Sequence, residues 1–148
     1  MATAGDLAFN EQFGHLREIA TLRQWPLNRE FILGLTARDS SPFSLLVDCR
    51  DYPAIPPAWH WYNSETRALD QPADTPKGNG FLHDSGCICA PWNRLAYKQI
   101  NPNNGPHDDW DLASWVTNPQ TGRCTTLAAM ALRIYVELNS LRYQGRKG

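Results

Sequence analysis

Tyr52-Pro53-Ala54-Ile55-Pro56-Pro57 is followed, about thirty residues later, by Gly86-Cys87-Ile88-Cys89-Ala90. The first stretch is a turn whose proline rings fix φ, so little chain freedom is left to lose on folding. The second is a short apolar run that ends in a thiol. Between them, Ala58-Trp59-His60-Trp61-Tyr62 has the aromatic character of a strand. Two more strands precede the turn, Phe31 to Leu35 and Phe43 to Val47, joined by the hairpin connection Arg38-Asp39-Ser40-Ser41-Pro42.

Helices flank this meander. Phe9, Phe13, Leu16, Ile19 and Ala20 recur at helical spacing, which predicts a helix over Phe9–Trp25 ended by Pro26. Leu127, Met130, Ala131, Ile134, Leu138 and Leu141 form one apolar stripe and predict a second helix from Thr125 to about Tyr143. Thr125 or Thr126 caps its start, and Gly145 lies beyond its end. Residues 63–80 and 90–124 are punctuated by proline, glycine and asparagine and read as long loops. The sum is an α+β chain: N-terminal helix, antiparallel meander of three to four strands, long active-site loops, C-terminal helix.

With 148 residues, a single domain over 1–148 is expected. The net charge of −1 gives no global attraction to nucleic acid or to an anionic membrane. No apolar run approaches the ~20 residues of a membrane helix, and the N-terminus carries no signal-peptide pattern, so a cytoplasmic protein is expected. Cys49, Cys87, Cys89 and Cys124 are then expected as reduced thiols. The Arg146-Lys147 pair reads as a solvated tail, and Trp92, just after the cysteines, as a surface for a partner.

The order of these parts resembles the ubiquitin-conjugating enzyme family over roughly residues 9 to 143. The resemblance is carried by Tyr52-Pro53-x-x-Pro56-Pro57, by Gly86-x-Ile88-Cys89 and by the downstream Trp110. It implies that Cys89 accepts a ubiquitin-like protein as a thioester from an activating enzyme and passes it to a target lysine. No cofactor or metal is needed. The short chain is most similar to conjugating enzymes of bacterial antiviral operons. Two positions depart from the family pattern. Ala90 stands where leucine is usual, and Asn79-Gly80-Phe81 stands where His-Pro-Asn normally begins, ten residues before the cysteine.

The chemistry needs little help at the thiol. An ordinary cysteine, with a pKa near about 8.5, is already partly thiolate at neutral pH. What must be supplied is a donor for the oxyanion and a group that orients the incoming lysine. His83 is the first candidate for the donor, with Asn79 and Asn93 as substitutes for the missing asparagine. Asp108 and Asp109, just before Trp110, are candidates for the lysine-facing carboxylate. Each residue has a plainer alternative. Cys89 and Cys87 are small hydrophobes in the plainer reading, His83 a turn cap, and the two aspartates a solvated loop. The face of the Phe9–Trp25 helix opposite its apolar stripe, with Arg17, Glu18 and Arg23, is a candidate docking site for the activating enzyme. The rival function is a non-catalytic module of the same fold that docks a ubiquitin-like protein or an activating enzyme. A weaker third is a domain with a metal held by His83, Cys87, Cys89 and Cys124, although Cys-x-Cys is not the usual zinc spacing.

Overall fold

The N-terminal spacing does produce a helix: α1 spans Ala4–Arg23 in the computed structural model, which describes residues 4–83, 85–100 and 112–148. It starts ahead of the predicted Phe9, with Asp6 in the first turn, where a carboxylate suits the positive end of the helix. It also stops short of Trp25. Gln24 turns left-handed with φ of 60°. The Trp25 N–H then reaches the Ala20 carbonyl at 2.8 Å and the Gln24 N–H the Thr21 carbonyl at 3.3 Å. That pair of bonds closes a helix before any proline is needed.

Three strands follow, β1 Ile32–Thr36, β2 Pro42–Asp48 and β3 Ala58–Trp61, in an antiparallel sheet of order β1-β2-β3. Alternation puts Leu33, Leu35, Phe43, Leu45 and Val47 on the inner face, against the layer made by α1 and α3 (Leu127–Leu138). All of β3 is buried, on both faces of the strand. Trp59 donates its indole N–H to the Met130 sulfur at 3.3 Å.

The last helix is the predicted one with a different end. Thr126 caps it by accepting the Ala129 N–H at 3.1 Å. The Leu127 N–H is taken by the Gln12 side chain of α1 at 3.1 Å. The helix ends at Leu138, and Leu141 is 92% exposed rather than part of the stripe. The cause lies in the β1–β2 connection. Arg38 donates from its backbone to the Leu138 carbonyl and from its guanidinium to the Ser140 and Tyr143 carbonyls, drawing the chain out of the helix.

The Tyr52–Pro57 turn links β2 to β3, with a cis Tyr52–Pro53 bond and with Tyr52, Pro56 and Pro57 buried. Its Pro53 carbonyl accepts the Trp115 indole N–H at 3.0 Å, and the Tyr52 hydroxyl donates to the Thr125 carbonyl at 3.3 Å. The C-terminal segment is not a solvated tail. Lys147 N–H bonds the Thr75 carbonyl at 2.8 Å. Arg146 donates to the Ala73 and Pro42 carbonyls and lies over the Phe43 ring at 4.2 Å. Among the described residues, no helix is long and apolar enough to cross a membrane.

One helix was not anticipated. Inside the segment read as irregular, a 3-10 turn at Pro91–Asn93 runs into α2, Arg94–Ile100. Its Ala96 is fully buried with Ala58 and Cys87. A buried polar chain ties α2 to the sheet: His60 Nε2 meets the Gln99 side-chain oxygen of α2 at 2.7 Å, and Nδ1 meets Asp70 Oδ2 at 2.7 Å. Burial alone would lower the His60 pKa. The hydrogen bond and charge of Asp70, helped by Gln99 and Asp48, outweigh it and hold the pKa above the ordinary value. The stability from this raised pKa is complete below about pH 6.5 and is lost as pH climbs through the folded-state value. Tm is therefore expected to fall over that interval in the native chain and to level out in His60→Gln, as followed by circular dichroism. His60→Ala strands Asp70 and is expected to cost about 3–5 kcal/mol in denaturant titration.

Candidate active site

The cysteine run closes a small hairpin. Cys89 N–H donates to the Phe81 carbonyl at 2.8 Å, Leu82 faces Ile88 as an antiparallel bridge, and His83 N–H donates to the Cys87 carbonyl at 3.2 Å. The chain reverses between His83 and Cys87, where the Gly86 N–H bonds the His83 carbonyl at 3.0 Å. Gly86 has φ of 87°, a conformation that suits a three-residue hairpin loop. A Cβ there would meet nothing closer than 3.6 Å, so the dihedral rather than space selects glycine.

The two thiols end in different surroundings. Cys87 is buried beside Ala58 and Ala96, and its Sγ contacts the Ile88 carbonyl at 3.5 Å. Burial pushes its pKa up to about 12, the charges of Asp70 and Cys89 add to this, and Arg94 opposes it. Burial likewise raises Cys49 to about 12 and Cys124 to about 11. Cys89 is the exposed one. A cavity of about 40 Å³ beside it is lined by His83, Cys87, Cys89, Asn93, Arg94 and Tyr97 among others.

His83 is thus brought to Cys89, and its hydrogen bonds fix its tautomer. The Ser85 N–H donates to Nδ1 at 3.1 Å, so in the neutral ring Nε2 carries the proton. Asn93 also lines the cavity but is fully buried and committed. Its Oδ1 accepts the Trp59 N–H at 2.7 Å, and its Nδ2 donates to the Trp59 carbonyl at 3.3 Å and the Ile88 carbonyl at 3.1 Å. Both amide hydrogens are therefore used to tie β3 to the cysteine hairpin. Asn79 is exposed and is not among the residues lining this cavity. Asp108, Asp109 and Trp110 lie outside the described residues. Trp92 is 3% exposed, not a contact surface: it packs on Trp59 and Phe81, with ring centroids 6.3 and 6.0 Å apart.

Arg94 and Tyr97 escaped the sequence reading. They sit three apart on α2 and share a helical face toward Cys89, a signal visible only once the segment after Pro91 is read as helix. Among the described residues, no group of three or more His, Cys, Asp or Glu is arranged to hold a metal ion. Cys124 packs against the main core, while Cys87 belongs to the smaller cluster.

Gly86→Ala is expected to cost about 1–2 kcal/mol through the left-handed dihedral. Asn93→Ala should cost at least as much, because it leaves the buried Trp59 N–H without its acceptor. Urea titration measures both. An unchanged midpoint for either variant would remove that residue from the support of the hairpin.

No family model matches this chain, and no curated protein or solved structure matches it.

Proposed function

We propose that the chain is a conjugating enzyme of the ubiquitin type, an acyl carrier that holds a ubiquitin-like protein as a thioester on Cys89 and transfers it to a lysine. The observation that carries this reading is an exposed Cys89 beside a cavity of only about 40 Å³. Small-molecule sites enclose roughly 300–1,000 Å³. A thiol with so little room beside it suits an acyl group that arrives on a macromolecule. The α+β order and the Tyr52–Pro57 turn before β3 agree with the ubiquitin-conjugating fold that the sequence motifs imply.

In the charging step the Cys89 thiolate attacks the carbonyl carbon of the incoming thioester. A C–S bond forms, the activating enzyme's thiolate leaves, and the oxyanion between them needs a donor. His83, with its proton on Nε2, fills that role better than Asn93, whose hydrogens are spent. In the discharge step a lysine amine attacks the same carbon. A C–N bond forms, the C–S bond to Cys89 breaks, and the amine proton passes to solvent. Arg94 adds a positive charge where the oxyanion and then the thiolate develop. The exposed face of α1 around Arg17 and Glu18 serves as the docking surface for the activating enzyme, while Arg23 is stacked over Trp25 and Tyr135.

A small glycyl thioester supplies a donor for the test. Mass spectrometry should show the acyl group on Cys89 and not on Cys87, followed by transfer to added lysine peptide. Cys89→Ser should retain a hydroxylamine-resistant oxyester, and Cys89→Ala should give neither. His83→Ala is expected to slow both charging and discharge by about 10²-fold with the fold intact. Unchanged rates in the folded variant would remove His83 from the oxyanion. A folded chain whose Cys89 takes up the acyl group but passes it to no amine would favour the non-catalytic docking module.

A further inference from the structure

Both nitrogens of the His60 ring face oxygen. Nδ1 stands 2.7 Å from Asp70 Oδ2, and Nε2 stands 2.7 Å from Gln99 Oε1. A neutral imidazole carries one hydrogen and can donate to only one of them. Turning the Gln99 amide over does not mend this. Its side chain also hydrogen-bonds the Asp48 carboxylate, which accepts only from the amide nitrogen. A flip would set the amide oxygen against that carboxylate. The His60 ring is 3% exposed, so water has little access to complete either contact. Two hydrogens are required, and only the imidazolium has two.

The charges around the ring agree with this. Asp70, from the loop after β3, and Asp48, from β2, both favour the cation and outweigh burial. Arg50 is paired with Asp48 at 2.7 Å, and its side chain is largely in solvent. Cys87, which feels the Asp70 charge, stays protonated, because burial pushes its pKa up to about 12. From α2 comes Gln99, one residue before the helix ends. That helix is the cover of Cys87: Ala96 shares a cluster with Ala58 and Cys87, and Leu95, Tyr97 and Ile100 pack against it.

We propose that His60 is a proton switch for the cover of the cysteine hairpin: its second proton holds Gln99, and losing that proton frees the end of α2 and uncovers Cys87. The charged Asp70 keeps the one hydrogen that remains, so the Gln99 contact is the one given up. Gln99 is exposed, and its released side chain passes into solvent. The closed arrangement is complete below about pH 6.5 and is lost as pH climbs through the raised folded-state value of His60. The switch acts on α2 and is independent of the chemistry assigned to Cys89.

Cys87 reports the state of the cover. In a Cys89→Ser background, its labelling by dithiodipyridine is followed by mass spectrometry, with and without Gln99→Ala, from about pH 5 to about pH 9. The ratio of the two rates cancels the thiolate fraction, which both chains share. With Gln99 in place, labelling should be about tenfold slower at the acid end, the order expected of one charge-assisted hydrogen bond. The two rates should converge as pH rises, with the midpoint at which the His60 imidazole titrates by NMR. Adding His60→Gln to both chains should make the ratio independent of pH. A ratio of one throughout overturns the hold of Gln99 on the helix. A constant ratio across the His60 titration, or a pH-dependent one in His60→Gln, overturns the switch. So does loss of amide protection in α3 along with α2, which would make the event global unfolding.

Discussion

The arrangement around Cys89 depends on one buried amide. Asn93 accepts from the Trp59 N–H and donates to the Trp59 and Ile88 carbonyls, so a single side chain sets the distance between the first turn of α2, strand β3 and the cysteine hairpin. Each such bond adds only about 1 kcal/mol net, but leaving a buried backbone group unpaired costs about 1–3 kcal/mol, and that asymmetry is what fixes the geometry. The far end of the same short helix is tied down by the His60–Gln99 contact, backed by Asp70. Asp70 in turn accepts the Trp61 N–H at 2.9 Å. A seven-residue helix is too short to persist by propensity alone. Polar bolts at both ends, with Ala96 packed between them, hold it in place and so hold Arg94 and Tyr97 in the lining of the Cys89 cavity.

The same hairpin explains why neighbouring thiols differ. Bond geometry puts Cys87 and Cys89 on the same side of an extended arm. What separates them is cover: α2 and Ala58 close over Cys87, and the arm runs out from beneath that cover before it reaches Cys89. A buried thiolate without a compensating charge is costly, hence the high pKa of Cys87. One cysteine of the hairpin thus lies under the helix and the other outside it.

What could be read from the sequence follows the range of the forces involved. Strand and helix cores were legible because Leu33, Leu45 and the Leu127–Leu138 stripe repeat with periods set by local geometry. The glycine before the cysteine was legible as a motif, and its reason emerged as the φ of the hairpin loop. Element ends were not legible. The C-terminus of α3 is set by Arg38, a hundred residues away in the chain, and that of α1 by a left-handed glutamine that no rule of composition requires. Trp92, just after the cysteines, read as a surface for a partner, yet Trp59 on a distant strand supplies its pocket. Arg146 and Lys147 read as a solvated tail, yet their backbone and side-chain partners at Pro42, Ala73 and Thr75 are pairings across the fold. In the site, Cys89 and His83 were found by spacing along one hairpin, whereas Asn93 was chosen for its chemistry and is consumed by contacts that only the folded chain reveals.

The electrostatics of the site bear on what the proposed acyl transfer would need. The sequence suggested Asp108 and Asp109 to prepare the incoming lysine, and both lie outside the described residues; among the described ones, Arg94 and His83 line the Cys89 cavity. A positive surrounding disfavours the ammonium form of an approaching amine relative to the neutral one, and only the neutral form has a lone pair to offer. The same field stabilises the oxyanion as it forms and the Cys89 thiolate as it leaves. On the proposed reading, then, no base is required next to the sulfur, because one sign of charge favours the nucleophile's reactive state, the intermediate and the departing group together.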